Sequence, residues 1–245
     1  MSETKPRAKG RKPHKQRDRI ARDKPGLAAR QVATTLLTRV VDDGRGLDGL
    51  MDTRHGPATL RSLQDSDRQL VRAIVTTALR HHGEIDHALD RCKDRKPPKN
   101  ARQLIHTLHV AAAQILFMDV PDSAAVDLAV TALSADKRST RFSGLANAVL
   151  RRMSREKDTL FDAMDDEARA VLNMPPWLRK RTRKSYGKER LGSIAIRHMQ
   201  EPVIDLCVRD DPQGWAEKLG GTALFGNAIR VLREGALPTW PGYED

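Results

Sequence analysis

From Leu27 to about residue 158, apolar residues recur three and four positions apart, which is the spacing of one helix face. No stretch in this part alternates apolar and polar residues as a half-buried strand does. The pattern therefore predicts an all-α domain of six or seven helices over residues 27–158. The positions predicted to face inward are Val32, Leu36, Leu37, Val40, Val41, Leu70, Val71, Ile74, Val75, Ala78, Leu79, Ile85, Ala88, Leu89, Leu104, Ile105, Leu108, Ala112, Ile115, Leu116, Val126, Ala129, Val130, Leu133, Phe142, Leu145, Ala146, Val149, Leu150 and Met153.

Local signals separate these helices from one another. The first helix is expected to end at Asp42–Gly44. Ser66–Gln69 is a capping-box pattern that opens the next long helix, and Gly83 is expected to end it. Pro121 suits the first turn of a later helix. The helix over residues 102–117 is the most apolar segment, and we predict that it is the central helix of the domain.

The pattern changes after residue 158. Ile204, Leu206 and Val208 alternate with polar residues, which predicts a short strand. A helix around residues 215–219 follows, with a turn at Gly220 and the residue after it. We therefore expect residues 159–245 to contain linker helices and a small α/β subdomain. The predicted fold class is mainly α: a helical bundle followed by a small α/β segment.

The net charge of +12 is concentrated near one end of the sequence. Residues 1–26 have a net charge of +7, residues 27–158 have +5, and residues 159–245 are neutral. The first 26 residues contain one bulky aliphatic residue, Ile20, so we expect a disordered basic arm. Such an arm contacts the phosphates of RNA or DNA, or it serves only as a solubilising tail. The candidate phosphate contacts are Arg7, Lys9, Arg11, Lys12, Lys15 and Arg17.

Further basic residues lie on the polar faces of the predicted helices. Arg68 and Arg72 are four positions apart, as are Arg151 and Arg155, so each pair shares one helix face. Such pairs hold phosphates or simply form a solvated surface. The candidates for RNA contact in the helical domain are Arg68, Arg72, Arg80, Arg151 and Arg152.

Residues 175–190 combine seven cations with a single acid, Glu189, and with Trp177 and Tyr186. This composition favours phosphate contact. The alternative is an amphipathic helix in which Trp177 and Leu178 pack inward while the basic side chains cover the surface. The candidate RNA contacts in this segment are Arg179, Lys180, Arg181, Arg183 and Lys184.

Composition excludes several other classes of protein. Aromatic residues make up 4% of the chain, which argues against an aromatic-rich β-sandwich core. Two cysteines rule out a disulfide scaffold and a zinc cluster made of cysteines alone. The apolar runs are too short to span a bilayer, and the basic N-terminus is unlike a signal peptide. We expect a cytoplasmic protein with no membrane partner.

A group of polar residues near the end of the second long helix could suggest a metal site. Zinc requires several ligands that converge, whereas these residues suit a helix terminus followed by a polar turn. His106 and His109 lie three apart on the apolar helix and suit hydrogen-bonded core positions. We therefore predict no metal-binding residue. The polar group comprises His81, His82, Glu84, Asp86, His87 and Cys92.

Several segments, in order, resemble one known family. RQLIHTLHVAAAQILFMDV (residues 102–120), PDSAAVDLAV (121–130) and FSGLANAVLRRM (142–153) resemble the NusB-like helical domain of the Sun/Fmu-type bacterial 16S rRNA cytosine-C5 methyltransferases. MPPWLRKRTRKSYGKER (174–190) resembles the segment that follows in these enzymes, with a Pro-x-Trp-Leu and a Tyr-Gly-x-Glu pattern. The resemblance implies a NusB-like bundle and then a small RNA-recognition-like subdomain.

The family's catalytic domain binds S-adenosylmethionine through a Gly-rich turn and uses cysteines in Pro-Cys and Thr-Cys contexts. Cys92 follows Arg91 and Cys207 follows Leu206, so neither context occurs in this sequence. We expect an RNA-binding portion with no catalytic residue and no cofactor of its own. The implied partners are 16S rRNA or another structured RNA, and a ribosomal protein. The alternatives are a stand-alone NusB-like adaptor in transcription antitermination and a basic DNA-binding protein.

Overall fold

The computed structural model describes residues 24–94, 97–98, 100–231 and 239–243. The chain divides into two compact units, the first ending at Met199 and the second beginning at Gln200. The basic arm predicted over residues 1–26 lies outside the described residues up to residue 23. The same is true of its candidate phosphate contacts, which are Arg7, Lys9, Arg11, Lys12, Lys15 and Arg17.

The first unit is helical throughout its described residues, which confirms the mainly α fold class. Its helices are α1 (Leu27–Val41), α2 (Leu47–Met51), α3 (Ala58–Arg61), α4 (Asp65–Arg80), α5 (His82–Cys92), α6 (Arg102–Phe117), α7 (Asp122–Ala135), α8 (Ser143–Glu156), α9 (Asp166–Leu172), α10 (Pro176–Tyr186) and α11 (Leu191–Met199). Short 3-10 turns cover Thr140–Phe142 and Lys157–Thr159. No helix of the described residues is both long and apolar enough to cross a bilayer.

Helix α6 is the centre of the bundle, as its apolar sequence predicts. Eleven of its residues are buried, and it packs against α1, α4, α5, α7 and α8. A helix surrounded by other helices is mostly apolar, because most of its sides meet apolar neighbours. The polar residues buried on α6 include His106 and His109, which meet the carboxylates of Asp42 and Asp86. Leu104 and Ala112 are completely buried on α6, and Leu36, Ile74 and Leu150 are completely buried on the helices around it.

The prediction that Ser66 caps the second long helix is wrong. Helix α4 begins at Asp65 with Gln64 as its N-cap, so Ser66 lies inside the first turn and does not cap the helix. The carboxylates of Asp65 and Asp67 in that turn suit the positive end of the helix dipole. The short helix α3 was not predicted, because four residues are too few to show a period of 3.6.

Gly83 does not end a helix. Helix α4 ends at Arg80 and α5 begins at His82, so Gly83 lies in the first turn of α5. A Cβ atom at this position would overlap the carbonyl oxygen of Leu172, at the end of α9. The glycine is therefore needed for close approach of two segments, and not for its backbone freedom.

Helices α9 and α11 belong to the first unit, although the sequence pattern changes near residue 158. They pack against each other, and α9 also packs on α5. Ala170, Met174, Leu191 and Ala195 form a small buried cluster between them. The chain consequently divides after Met199, because the apolar faces of these helices are buried within the first unit.

The second unit contains a three-stranded antiparallel sheet and one helix in its described residues. The strands are β1 (Ile204–Cys207), β2 (Gly221–Ala223) and β3 (Ala228–Val231), in the order β1-β3-β2, with α12 (Pro212–Leu219) packed on one face. The alternation predicted around Leu206 is confirmed, since residues 204, 206 and 208 all pack against the core of this unit.

We expect Gly83→Ala to destabilise the protein and Gly144→Ala to stabilise it slightly. Both glycines are the second residue of an α-helix, in α5 and α8. A methyl group at residue 83 meets the backbone of Leu172, and overpacking of this kind costs about 1–3 kcal/mol. Residue 144 has open space around it, and alanine there should add about 0.5 kcal/mol through helix propensity. Urea unfolding curves of the two variants measure both effects, and equal effects would contradict the role of Gly83.

Candidate nucleic-acid interface

Helix α10 has sharply defined ends. Pro175 is its N-cap and Pro176 its first residue, a position where the missing N–H is not needed. Gly187 ends it with φ of 80°, a left-handed conformation that favours glycine. One side of the helix faces the protein through Leu178, which packs on the α9–α11 cluster, and through buried Thr182. These residues are one turn apart, so the remaining circumference faces outward.

The outward side of α10 is strongly basic. Its five cations are all exposed, and none of them forms an ion pair or a side-chain hydrogen bond with any residue that the structure describes. A helix of eleven residues is about 16 Å long, so these charges are crowded onto a short surface. Their mutual repulsion is not neutralised locally, which makes the surface attractive to an anion. The cations are Arg179, Lys180, Arg181, Arg183 and Lys184.

Trp177 and Tyr186 are also exposed on α10, at 67% and 57%. Of the two residues that the sequence offered as inward-facing, Leu178 packs inward and Trp177 does not. Consecutive helix residues point about 100° apart, so only one of this pair can face the cluster. Trp177 lies one turn before Arg181, and Tyr186 lies near the other end of the helix. Exposed rings next to cations can stack on unpaired bases while the cations contact phosphates.

The arginines predicted on the other helices have different environments. Arg68 is held by Asp65 and by the carbonyl oxygen of Leu63. Arg152 pairs with Glu156 at 2.9 Å and lies 3.5 Å from Asp94. These two cations are already partly neutralised. Among the other candidates, Arg80 is half-buried and has a partner. Arg72 and Arg151 are exposed, and Arg151 Nε donates a hydrogen bond to Asn147 Oδ1 at 3.0 Å.

A second basic surface, which was not predicted from the sequence, lies in the loop between α7 and α8. Lys137, Arg138 and Arg141 are exposed there, and they line a groove of about 630 Å³ together with Asp136 and with Arg102, which lies 3.4 Å from Asp42 and 3.7 Å from Asp43. The available signal was the close spacing of three cations between two helices. A loop without periodicity gives no face on which such residues can be placed in advance.

Hydrogen bonds hold this loop in place. The hydroxyl of Ser139 donates to the carbonyl oxygen of Leu133 at 2.9 Å, and the hydroxyl of Thr140 donates to that of Ser134 at 3.0 Å. The backbone N–H of Arg138 donates to a carboxylate oxygen of Asp136 at 3.0 Å. The loop cations are therefore presented on an ordered backbone, which lowers the entropy cost of binding a ligand.

A buried carboxylate anchors the segment that leads to α10. Glu84 is 3% exposed, and its carboxylate accepts hydrogen bonds from Arg169 Nε and Asn173 Nδ2, both at 2.9 Å. His81 Nδ1 lies 2.7 Å from the same group. The side-chain oxygen of Asn173 in turn accepts from the backbone N–H of Glu84 at 3.0 Å. Since Arg169 lies on α9 and Asn173 directly follows it, the start of α10 is tied to α5 through α9.

The pKa of Glu84 reflects this environment. Burial alone would raise it, but the hydrogen bonds from His81, Asn173 and Arg169 together hold the pKa below the ordinary glutamate value. The nearby Asp86 behaves similarly: burial opposes ionisation, yet hydrogen bonds from His109 and His82 hold its pKa well below its usual range. The cluster of polar residues near the end of α4 therefore takes part in two separate contacts, with Glu84 facing α9 and Asp86 facing α6.

A helical bundle with two exposed basic surfaces is typical of proteins that bind polyanions. A model of the NusB family matches residues 27–155, which is more than half of the chain. The chain therefore belongs to the NusB family. The family match covers α1 to α8, and α10 lies beyond it.

The chain is also similar to curated proteins named Ribosomal RNA small subunit methyltransferase B. The protein of this name from Shigella flexneri serotype 5b is 25% identical over 226 residues, which are 88% of this chain and 51% of that protein. The one from Escherichia coli strain SE11 has the same identity and coverage. The one from Xanthomonas campestris pv. campestris is 35% identical over 165 residues, 67% of this chain and 35% of that protein. The chain spans about half the length of the first two relatives.

We expect Glu84→Gln to destabilise the protein at pH 7 by about 2–4 kcal/mol, because charged hydrogen bonds in a buried site are lost. A lowered folded-state pKa gives stabilisation that is fully present above the unfolded pKa of about 4.3 and is lost as pH falls through the folded value. The difference in unfolding free energy between the variant and the unsubstituted protein should therefore shrink as the pH falls from about 5 to about 3. Urea unfolding across this range measures it.

Glu156→Gln is the matched control for this prediction. It removes the same charge from a half-exposed pair with Arg152, and such pairs contribute at most about 1 kcal/mol. A cost for Glu84→Gln no larger than the cost for Glu156→Gln would show that Glu84 does not anchor α9.

Proposed function

We propose that the chain acts in the cytoplasm as the RNA-binding part of a 16S rRNA cytosine-C5 methyltransferase. The similarity to Ribosomal RNA small subunit methyltransferase B over 88% of the chain supports this proposal. The match to the NusB family over residues 27–155 agrees with it. The chain's own contribution is to bind structured rRNA and hold it in place.

The observation that carries the proposal is the exposed surface of α10. Its five cations, which have no partner among the described residues, release counterions when they contact phosphates, which gives affinity that falls steeply with salt. Trp177 and Tyr186 add rings that can stack on unpaired bases, and duplex DNA does not offer such bases. The combination favours RNA with loops or bulges over a regular duplex. The groove formed by Lys137, Arg138 and Arg141 offers a second set of phosphate contacts.

A stand-alone adaptor in transcription antitermination is the second candidate, and the NusB family match favours it. The two functions differ in what RNA binding requires. An adaptor would depend on a protein partner such as a ribosomal protein, whereas an rRNA-docking segment should bind RNA by itself. RNA affinity that appears only with a ribosomal protein present would favour the adaptor.

The combined variant Arg179→Ala, Arg183→Ala and Lys184→Ala should weaken binding to a 16S rRNA fragment by about tenfold or more. The slope of log affinity against log salt should fall by about 2, since three phosphate contacts are removed at roughly 0.7–0.9 each. Alanine favours helix, so α10 should remain folded. Fluorescence anisotropy at several KCl concentrations measures both quantities.

A control variant with the same change of charge separates local contact from net charge. Arg45→Ala, Arg54→Ala and Arg61→Ala removes three exposed cations outside both basic surfaces. An equal loss of affinity in both triple variants would contradict a specific role for α10.

The exposed ring of Trp177 is tested separately. Trp177→Ala should weaken binding to a looped RNA more than to duplex RNA, whereas Phe225→Ala, which removes another exposed ring, should affect neither.

The chain alone is expected to transfer no methyl group from labelled S-adenosylmethionine to the rRNA fragment that it binds. The reason lies in the sequence, which has no cysteine in a Pro-Cys or Thr-Cys context. Retained label on the RNA after incubation measures transfer, and anisotropy in the same buffer shows whether the protein is bound. Transfer above background would contradict the proposal that this chain supplies binding only.

A further inference from the structure

Three side chains from two helices of the first unit converge at one point. His82 and Asp86 are four residues apart on α5 and share a face. His109 reaches the same point from α6, and the potential ligand atoms of the three residues lie within 4.8 Å of one another. Asp86 Oδ1 is 3.0 Å from His109 Nε2, and Asp86 Oδ2 is 3.4 Å from His82 Nδ1.

The hydrogen bonds of His109 orient its ring. The ring is almost fully buried, and Nδ1 lies 2.9 Å from the carbonyl oxygen of Ile105. A carbonyl oxygen only accepts, so Nδ1 carries a proton and donates it. The other ring nitrogen, Nε2, faces the Asp86 carboxylate.

Nε2 of His109 and Oδ1 of Asp86 are 3.0 Å apart, a distance at which a ring nitrogen and a carboxylate oxygen share either a proton or a metal ion. An imidazole whose far nitrogen donates to a backbone carbonyl is the arrangement that supports metal-binding histidines, because it fixes the ring and raises the basicity of the free nitrogen. The carboxylate and two imidazoles also provide the nitrogen and oxygen donors that zinc binds.

We propose that His82, Asp86 and His109 bind a zinc-type divalent metal ion that links α5 to α6. Tetrahedral zinc with bonds of about 2.0–2.2 Å places neighbouring ligand atoms about 3.4 Å apart. The separations of His109 Nε2 from Asp86 Oδ1, 3.0 Å, and of His82 Nδ1 from Asp86 Oδ2, 3.4 Å, are near this value. Asp86 is exposed and His82 is partly exposed, so both side chains can adjust, whereas His109 is held by its hydrogen bond. Three protein ligands leave one position of the ion open to water.

The proposed metal would strengthen the same helix that holds α9 through Glu84. None of the three ligands lies on α10 or on the α7–α8 loop, so the site is separate from both basic surfaces. It is also not a linear motif, since His109 follows Asp86 by 23 residues. The expected consequence of occupancy is a more stable bundle with unchanged intrinsic charge on α10.

Isothermal titration of the tag-free, chelator-treated full chain with zinc chloride at neutral pH tests the proposal. One ion per chain is expected, together with a higher Tm and, with cobalt as a substitute, visible bands of a four-coordinate ion. Asp86→Ala and His82→Ala should each weaken zinc binding at least about 100-fold and abolish the rise in Tm. Both side chains are partly exposed, so both variants should fold, and circular dichroism without metal verifies this.

His55→Ala is the matched control. His55 lies 3.2 Å from Asp52 and forms a similar histidine–aspartate pair, but it is exposed and no third ligand is grouped with it among the described residues. Zinc binding should survive this substitution unchanged. The proposal is overturned if zinc binds no more tightly to the unsubstituted chain than to Asp86→Ala, or if His55→Ala removes binding as strongly as His82→Ala does.

Discussion

The docking of α9 on α5 is the contact on which the position of α10 depends. The carboxylate of Glu84 is buried away from water, so it needs hydrogen-bond donors from the protein. Arg169 and Asn173 provide them. Gly83 removes the side chain that would otherwise keep the end of α9 away. Because α10 follows α9 after only three residues, this contact also determines where the basic surface is presented.

The exposed side of α10 shows the opposite physical situation. Five cations and Trp177 are left without partners from the described residues, although the same helix buries Leu178 and Thr182. A large exposed ring among cations that repel one another does not stabilise the folded protein. A surface of this kind is therefore better explained by a ligand than by the stability of the bundle. Arg68 and Arg152 illustrate the contrast, since acids on their own or neighbouring segments partly neutralise them.

Much of the fold follows from the sequence. Helix α6 is predicted by its apolar composition, and the strand at residues 204–207 by its alternation. The wrong predictions have a common cause, which is that the same local sequence pattern occurs in several structural roles. Ser66 matches a cap but lies two residues after the actual N-cap, Gln64, and Gly83 matches a helix terminator but allows close packing. The five cations of α10 were predicted by composition, whereas those around Arg138 were missed because a loop has no period.

The sequence by itself determined where the long helices of the bundle lie and which segment is most basic, because period and charge are local properties of the chain. Only the tertiary structure decided which polar residues meet. Glu84 and Asn173 are 89 residues apart, and His109 joins Asp86 from the next long helix, so no spacing along the chain reveals either pair. The structure also decided that Trp177 is exposed, because Leu178 is the residue of this pair that packs against the cluster between α9 and α11.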